Sequence, residues 1–198
     1  MGRDKAWLPF GQDATLIERM VRLVGQVVDP AAVVVVGGTE QSLPNLPDET
    51  RVVNDRWPGE GPLVGVATGL AALTPEKGRP EIGWSLVCCC DLPLLKPEVL
   101  QLLIETARQS ESNPDCDGVI PRVDERWQPL TAIYRTRLLP RVNQLLQRGR
   151  RRMTDLLEAI AVRELGEDEL RQVDRELRSF RHCNTPEEYE SLLPLAEH

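Results

Sequence analysis

The sequence predicts a single α/β domain built on a mostly parallel, mixed sheet with helices on both faces. Two observations carry that prediction. The segments Val33-Val34-Val35-Val36 and Trp84-Ser85-Leu86-Val87-Cys88-Cys89-Cys90 are apolar without alternation, which is the pattern of strands covered on both faces. Segments of helical spacing alternate with such strands, and that order implies crossover connections in a largely parallel sheet. At 198 residues the chain suffices for one domain with its own core.

Each element follows from local chemistry. Thr15 to Val28 carries Leu16, Ile17, Met20, Val21, Leu23, Val24 and Val27 near helical spacing, an amphipathic helix. The valine run ends at Gly37-Gly38, and Leu43 to Glu49 is a Pro-rich polar loop. Arg51-Val52-Val53 is a short strand ending at Asn54-Asp55. After the tight turn Pro58-Gly59-Glu60-Gly61-Pro62, residues Leu63 to Leu73 form an Ala- and Leu-rich helix. The cysteine strand stops at Asp91-Leu92-Pro93, and Lys96 to Gln109 is helical with Pro97 in its first turn. Asp117 to Pro121 and Leu130 to Tyr134 read as strands, Leu138 to Gln147 and Met153 to Ile160 as helices, and Glu167 to Arg178 as a charged helix or loop.

Charge and composition exclude several classes. A net charge of −7 argues against a general nucleic-acid binder, while leaving room for a small anionic ligand held by a few lysines and backbone amides. No apolar stretch approaches the roughly 20 residues of a membrane span, and the start lacks the three regions of a secretory signal. Five cysteines, three of them consecutive (Cys88, Cys89, Cys90), without a CxxC pair, suit a reduced cytoplasmic chain with buried thiols rather than a disulfide framework or metal cluster.

Candidate chemistry sits where open α/β sheets place it, beyond the carboxyl ends of strands. Asn54-Asp55, Asp91, and Asn184 after Phe180-Arg181-His182-Cys183 occupy such positions. Asp91 is the sharpest: a carboxylate ending a wholly apolar strand suits Mg²⁺, which takes one or two carboxylates plus waters and substrate phosphates. A helix N-cap or turn aspartate is the alternative. Lys5, in the opening run Gly2-Arg3-Asp4-Lys5, would hold phosphate as a point charge; taken alone it reads as a solvated terminal residue. Gly59, Gly61 and Gly65 permit close backbone approach to a ligand, or simply form a tight turn. Arg148-Gly149-Arg150-Arg151-Arg152 is a basic patch for a phosphorylated second substrate, or a solvated helix end. His182 and the four tryptophans form no catalytic pattern.

Four segments in order resemble the molybdenum cofactor guanylyltransferase family. Met1-Gly2-Arg3-Asp4-Lys5-Ala6 is similar to the end of the family's LAGG…RMGxDKA loop. Val53-Asn54-Asp55 with Gly61-Pro62-Leu63-Val64-Gly65 is similar to its acidic strand end and GPLAG turn; Cys90-Asp91-Leu92-Pro93 to CDxP; and Asn184-Thr185-Pro186-Glu187 to NTPE. The resemblance implies a Rossmann-like nucleotidyltransferase fold in which GMP passes from GTP to molybdopterin with release of pyrophosphate. It implies Lys5 on the GTP phosphates, Asp91 on Mg²⁺, Asp55 in the nucleotide site, Gly61 and Gly65 toward the guanine, and Asn184 near the phosphates or the second substrate. Molybdenum-insertion or molybdoenzyme chaperone proteins would be its partners. The family's upstream strand and LAGG segment have no counterpart here, so an N-terminally incomplete domain over residues 1–198 is expected. Runner-up readings are a cytidylyl- or sugar-phosphate nucleotidyltransferase of the same fold, and an inert relative.

Overall fold

The computed structural model describes residues 5–11, 14–38, 41–55, 57, 59–74 and 82–196; Met1, Gly2, Arg3, Asp4 and Pro58, named above, lie outside them. A short hairpin, β1 (Pro9–Phe10) and β2 (Ala14–Thr15), leads into helix α1 (Leu16–Gly25). Thr15 and Glu18 form a capping box at its start, each accepting from the other's backbone N–H. Strands β3 (Val34–Gly37) and β4 (Arg51–Asn54) pair in parallel, Val34 opposite Arg51 and Gly37 opposite Asn54.

Helix α2 (Pro62–Leu73) is apolar on nearly every side because it packs against β3, β4, β5 (Trp84–Cys88) and the later helix over Leu139–Gln147. Helix α3 (Pro97–Gln109) follows β5. The main sheet continues with β6 (Gly118–Val123), β7 (Arg126–Trp127) and β8 (Thr131–Arg135), in the order β5-β8-β6-β7, with β9 (Val162–Leu165) on the other edge of β6. Helices α4 (Leu139–Gln147), α5 (Met153–Leu157), α6 (Glu167–Leu170) and α7 (Pro186–Leu192) complete the chain.

Both faces of this sheet are covered, as the unalternating strands require. Val119 and Ile133 join a core with Met20, Leu100 and Leu103 from α1 and α3. Their neighbours Ile120, Ala132 and Tyr134 join a second core with Leu63, Leu70, Val142 and Leu156. The period-2 alternation of side chains thus feeds two separate apolar layers from one set of strands.

The sheet is mixed, but the parallel share is smaller than expected. Among the described residues the separate pair β3–β4 and, in the main sheet, β6–β9 are parallel, whereas β5–β8, β6–β8 and β6–β7 are antiparallel. The cause is local: Asp124 and Glu125, both at positive φ, turn the chain tightly between β6 and β7, and a return that short cannot make a parallel crossover. Strand β9 was not anticipated, because Val162-Arg163-Glu164-Leu165 alternates too briefly to stand out.

The cysteine strand departs from expectation as well. Cys88, Cys89 and Cys90 are half-buried rather than buried, while Cys116 and Cys183 are buried, and all five are free thiols. Among the described pairings, β5 has β8 on one side only and β3 has β4 on one side only. An apolar strand at an edge keeps part of its surface in solvent. Among the described residues no helix is long and apolar enough to cross a membrane.

Candidate functional site

Three side chains from distant segments converge. Lys5 opens a 3₁₀ turn (Lys5–Trp7) seated by the buried Ala6. Its ammonium donates to Asn184 Oδ1 at 3.0 Å and lies 3.3 Å from Asp91 Oδ1. Asp91 sits in the turn after β5, beside the buried Leu92. The Cys183 N–H donates to the Asp91 carbonyl at 2.8 Å, joining the Asp91 turn to the segment that carries Asn184. Arg19 on α1 holds the other side of that turn, its Nε donating to the Pro93 carbonyl at 2.7 Å.

Asn184 is fixed by the start of α7. Glu188 Oε2 accepts from the backbone N–H of Asn184 at 2.6 Å and of Thr185 at 3.1 Å. The Thr185 hydroxyl in turn accepts from the Glu188 N–H at 3.2 Å. This is a capping box extended one residue upstream, and it orders the backbone from which the Asn184 amide projects.

The side chains of Lys5 and Asp91 are 28% and 30% exposed, shielded enough to strengthen charge interactions yet open to a ligand. One ammonium lies against a carboxylate oxygen and an amide oxygen, both hard donors of the kind Mg²⁺ takes. Cys90 Sγ lies 3.8 Å from Asp91 Oδ1. Burial, with the neighbouring Asp91 and Cys89 charges, pushes the Cys90 thiol up to about 12, so it stays protonated and supplies no thiolate. Among the described residues no three His, Cys, Asp or Glu side chains form a metal cluster. A lysine, a carboxylate and an amide so placed can meet an anionic group and a hard cation.

Residues 1–165 match the MobA-like NTP transferase domain family. The chain belongs to that family. It is 40% identical over 160 residues to a probable molybdenum cofactor guanylyltransferase of Mycobacterium bovis (strain BCG / Pasteur 1173P2), covering 80% of this chain and 73% of the relative. It is 31% identical over 198 residues to the Methanosarcina mazei protein of the same designation, covering 96% and 82%. Among solved structures, molybdopterin-guanine dinucleotide biosynthesis protein A from Archaeoglobus fulgidus superposes with a TM-score of 0.73 at 24% identity, over 98% of this chain and 91% of that one. The Mycobacterium tuberculosis protein Rv0371C, solved with manganese, superposes at 0.59 and 16% identity, over 98% and 93%. These two structures share the fold.

In this MobA-like chain the remaining candidates fall into separate roles. Asp55 continues β4, its N–H donating to the Gly37 carbonyl at 2.6 Å and its carboxylate accepting from the Trp57 N–H at 3.2 Å, an Asx-type turn. Gly61 has φ +104°, and a Cβ there would stand 2.9 Å from the Arg151 carbonyl, so its close approach is to the protein's own backbone. Gly65 differs: a Cβ there would meet open space.

Half of the basic patch is neutralised internally. Arg150 pairs with Asp155 at 2.9 Å and Glu158 at 2.6 Å, and Arg151 pairs with Glu60. Asn184 does not follow a strand; Arg178–Phe180 is a 3₁₀ turn that continues as extended coil. Nor does Asp91 cap a helix, since Lys96 is the N-cap of α3.

Sequence reasoning missed two supports of the site. Glu188 was legible in principle, because Thr185-x-x-Glu188 is a capping-box signature. Arg19 was not, since its partner Pro93 is 74 positions away.

Proposed function

We propose that this protein transfers GMP from GTP to molybdopterin, forming the guanine dinucleotide cofactor and pyrophosphate. The convergence of Lys5, Asp91 and Asn184, one from each of three separate motifs, is the observation that carries the proposal. The terminal phosphate of molybdopterin attacks the GTP α-phosphorus; a new P–O bond forms, the α–β bridge breaks, and pyrophosphate departs. The nucleophile is already anionic, so the protein's task is positioning and charge neutralisation rather than general-base catalysis.

Lys5 places its ammonium against the phosphates that become the leaving group. With Asn184 Oδ1 turned to Lys5, both Nδ2 hydrogens remain for a phosphate oxygen. Asp91 would hold Mg²⁺, which would supply Lewis-acid neutralisation of phosphate charge when bound. Gly65, where a Cβ would meet open space, would let the nucleotide approach the backbone, and Asp55 at the end of β4 would lie in the nucleotide site. We place the protein in the cytoplasm, where its five thiols stay reduced. A molybdoenzyme chaperone or molybdenum-insertion protein is the proposed recipient of the product.

A guanylyl-transfer assay with molybdopterin, GTP and Mg²⁺ tests the proposal. Wild-type protein is expected to release pyrophosphate with GTP and far less with CTP, and Lys5→Ala to lower turnover about 10²-fold, the typical loss of one charge-stabilising donor. Preferential use of CTP, or an unchanged rate in Lys5→Ala, would overturn it.

A further inference from the structure

A second basic cluster, scattered along the sequence, is only partly neutralised. A cavity of about 430 Å³ lies between α1, the segment 94–97 and the turn 174–178, and Arg19, Arg22, Lys96, Arg175 and Arg178 line it. Its two acidic residues are already committed. Asp174, 1% exposed, pairs with Lys96 at 3.1 Å and accepts from the Ser179 N–H at 2.7 Å. Glu176 pairs with Arg178 at 2.7 Å.

Arg19, Arg22 and Arg175 form no ion pair among the described residues. Three guanidinium groups that form no such ion pair surround one concavity in a chain of net charge −7, with Arg22 feeling the Glu18 carboxylate one turn away. Arg19 and Arg22 are three apart on one helix, where like charges repel. Burial and that neighbouring charge lower the Arg19 pKa. Arg19 is also held in place, with its guanidinium 5.5 Å from the Phe10 ring centroid and its Nε on the Pro93 carbonyl. That leaves both terminal amino groups for a ligand. The first turn of α3, at Pro97, adds the positive end of a helix dipole to the same wall.

We propose that this cavity binds a small molecule bearing two or more phosphoryl groups, at a site separate from the Lys5–Asp91–Asn184 cluster. The guanidinium groups come from both α1 and the 174–178 turn, so more than one anionic centre is needed to meet them. Arginine forks match phosphate oxygens in pairs, and the volume suits a small metabolite rather than a polymer. None of Lys5, Asp91 and Asn184 lines the cavity.

Calorimetric titration with inorganic pyrophosphate in Mg²⁺-free buffer tests this independently of transfer activity. Arg22→Gln/Arg175→Gln is expected to weaken binding about 100-fold, roughly tenfold for each charged hydrogen-bonding group removed. Both residues are exposed, and unchanged melting of the unliganded variant confirms the fold. Lys5→Ala should leave this binding intact. No binding to wild-type protein, binding unchanged in the double variant, or binding abolished by Lys5→Ala overturns the proposal, the last by assigning the pyrophosphate to the nucleotide site.

Discussion

Asp91 and Asp174 are both aspartates paired with a lysine, and their surroundings give them opposite jobs. Asp174 is buried and saturated: Lys96 and the Ser179 N–H occupy its oxygens, and the Ser179 hydroxyl accepts from the Lys96 N–H at 3.2 Å, closing the turn onto the start of α3. Asp91 is 30% exposed, and its anchoring runs through its backbone carbonyl, leaving the carboxylate with Lys5 and a weak thiol neighbour. A carboxylate whose bonds are all made holds structure together. One whose backbone is pinned and whose oxygens are only partly used can bind something else.

The largest expected effect breaks this contrast from the active side. Asp91→Asn should lower guanylyl transfer by about 10²–10³-fold, as loss of a charge-positioning group does, with no change in melting temperature. A matching loss of stability would make Asp91 structural after all. Asp174→Ala should do the reverse. It is expected to cost about 1–3 kcal/mol in urea unfolding, because a buried N–H and an ammonium lose their acceptor, while turnover per folded molecule persists.

Acid sharpens the same contrast. Burial alone would raise the Asp174 pKa, but the bonds from Ser179 and Lys96 outweigh it and leave it below the ordinary carboxylate range. Its stabilisation is therefore complete above the unfolded aspartate value of about 3.9 and lost as pH falls through the lower folded value. Unfolding measured from pH 5 to pH 2 should show wild-type protein losing more stability than Asp174→Asn; parallel curves would remove Asp174 from the acid response. The smallest effect concerns Asn184. Glu188→Ala should cost about 1 kcal/mol, the usual value of a cap, and reduce turnover by loosening Asn184, which a turnover assay beside a thermal melt would separate.

Much of this was legible before any coordinates. The helix from Thr15, the valine strand, the α2 helix and the apolar β5 strand all lie within a few residues of their expected limits, because local periodicity and turn residues decide them. The short strands β7 and β9 were not, since a strand of two to four residues is defined by its partner. That the three consecutive cysteines are half-buried rather than buried was not legible for the same reason: edge or centre is a property of the sheet, not of the segment. At the site, Lys5 looked like a solvated end until the chain brought it to Asn184, 179 positions away.

The sequence by itself determined the class of fold and, through four ordered motifs, the family and its candidate residues. Residue type, spacing and hydrophobic period are local quantities, and they suffice for that. Only the tertiary structure decided that Lys5, Asp91 and Asn184 share one point, and that the Cβ side of Gly61 faces the Arg151 backbone. It alone decided that Arg150 and Arg151 of the conspicuous 148–152 patch are paired while Arg19, Arg22 and Arg175 form no ion pair among the described residues. The reason is physical: whether a charge is spent or available depends on which distant groups the folded chain brings within a few ångströms of it.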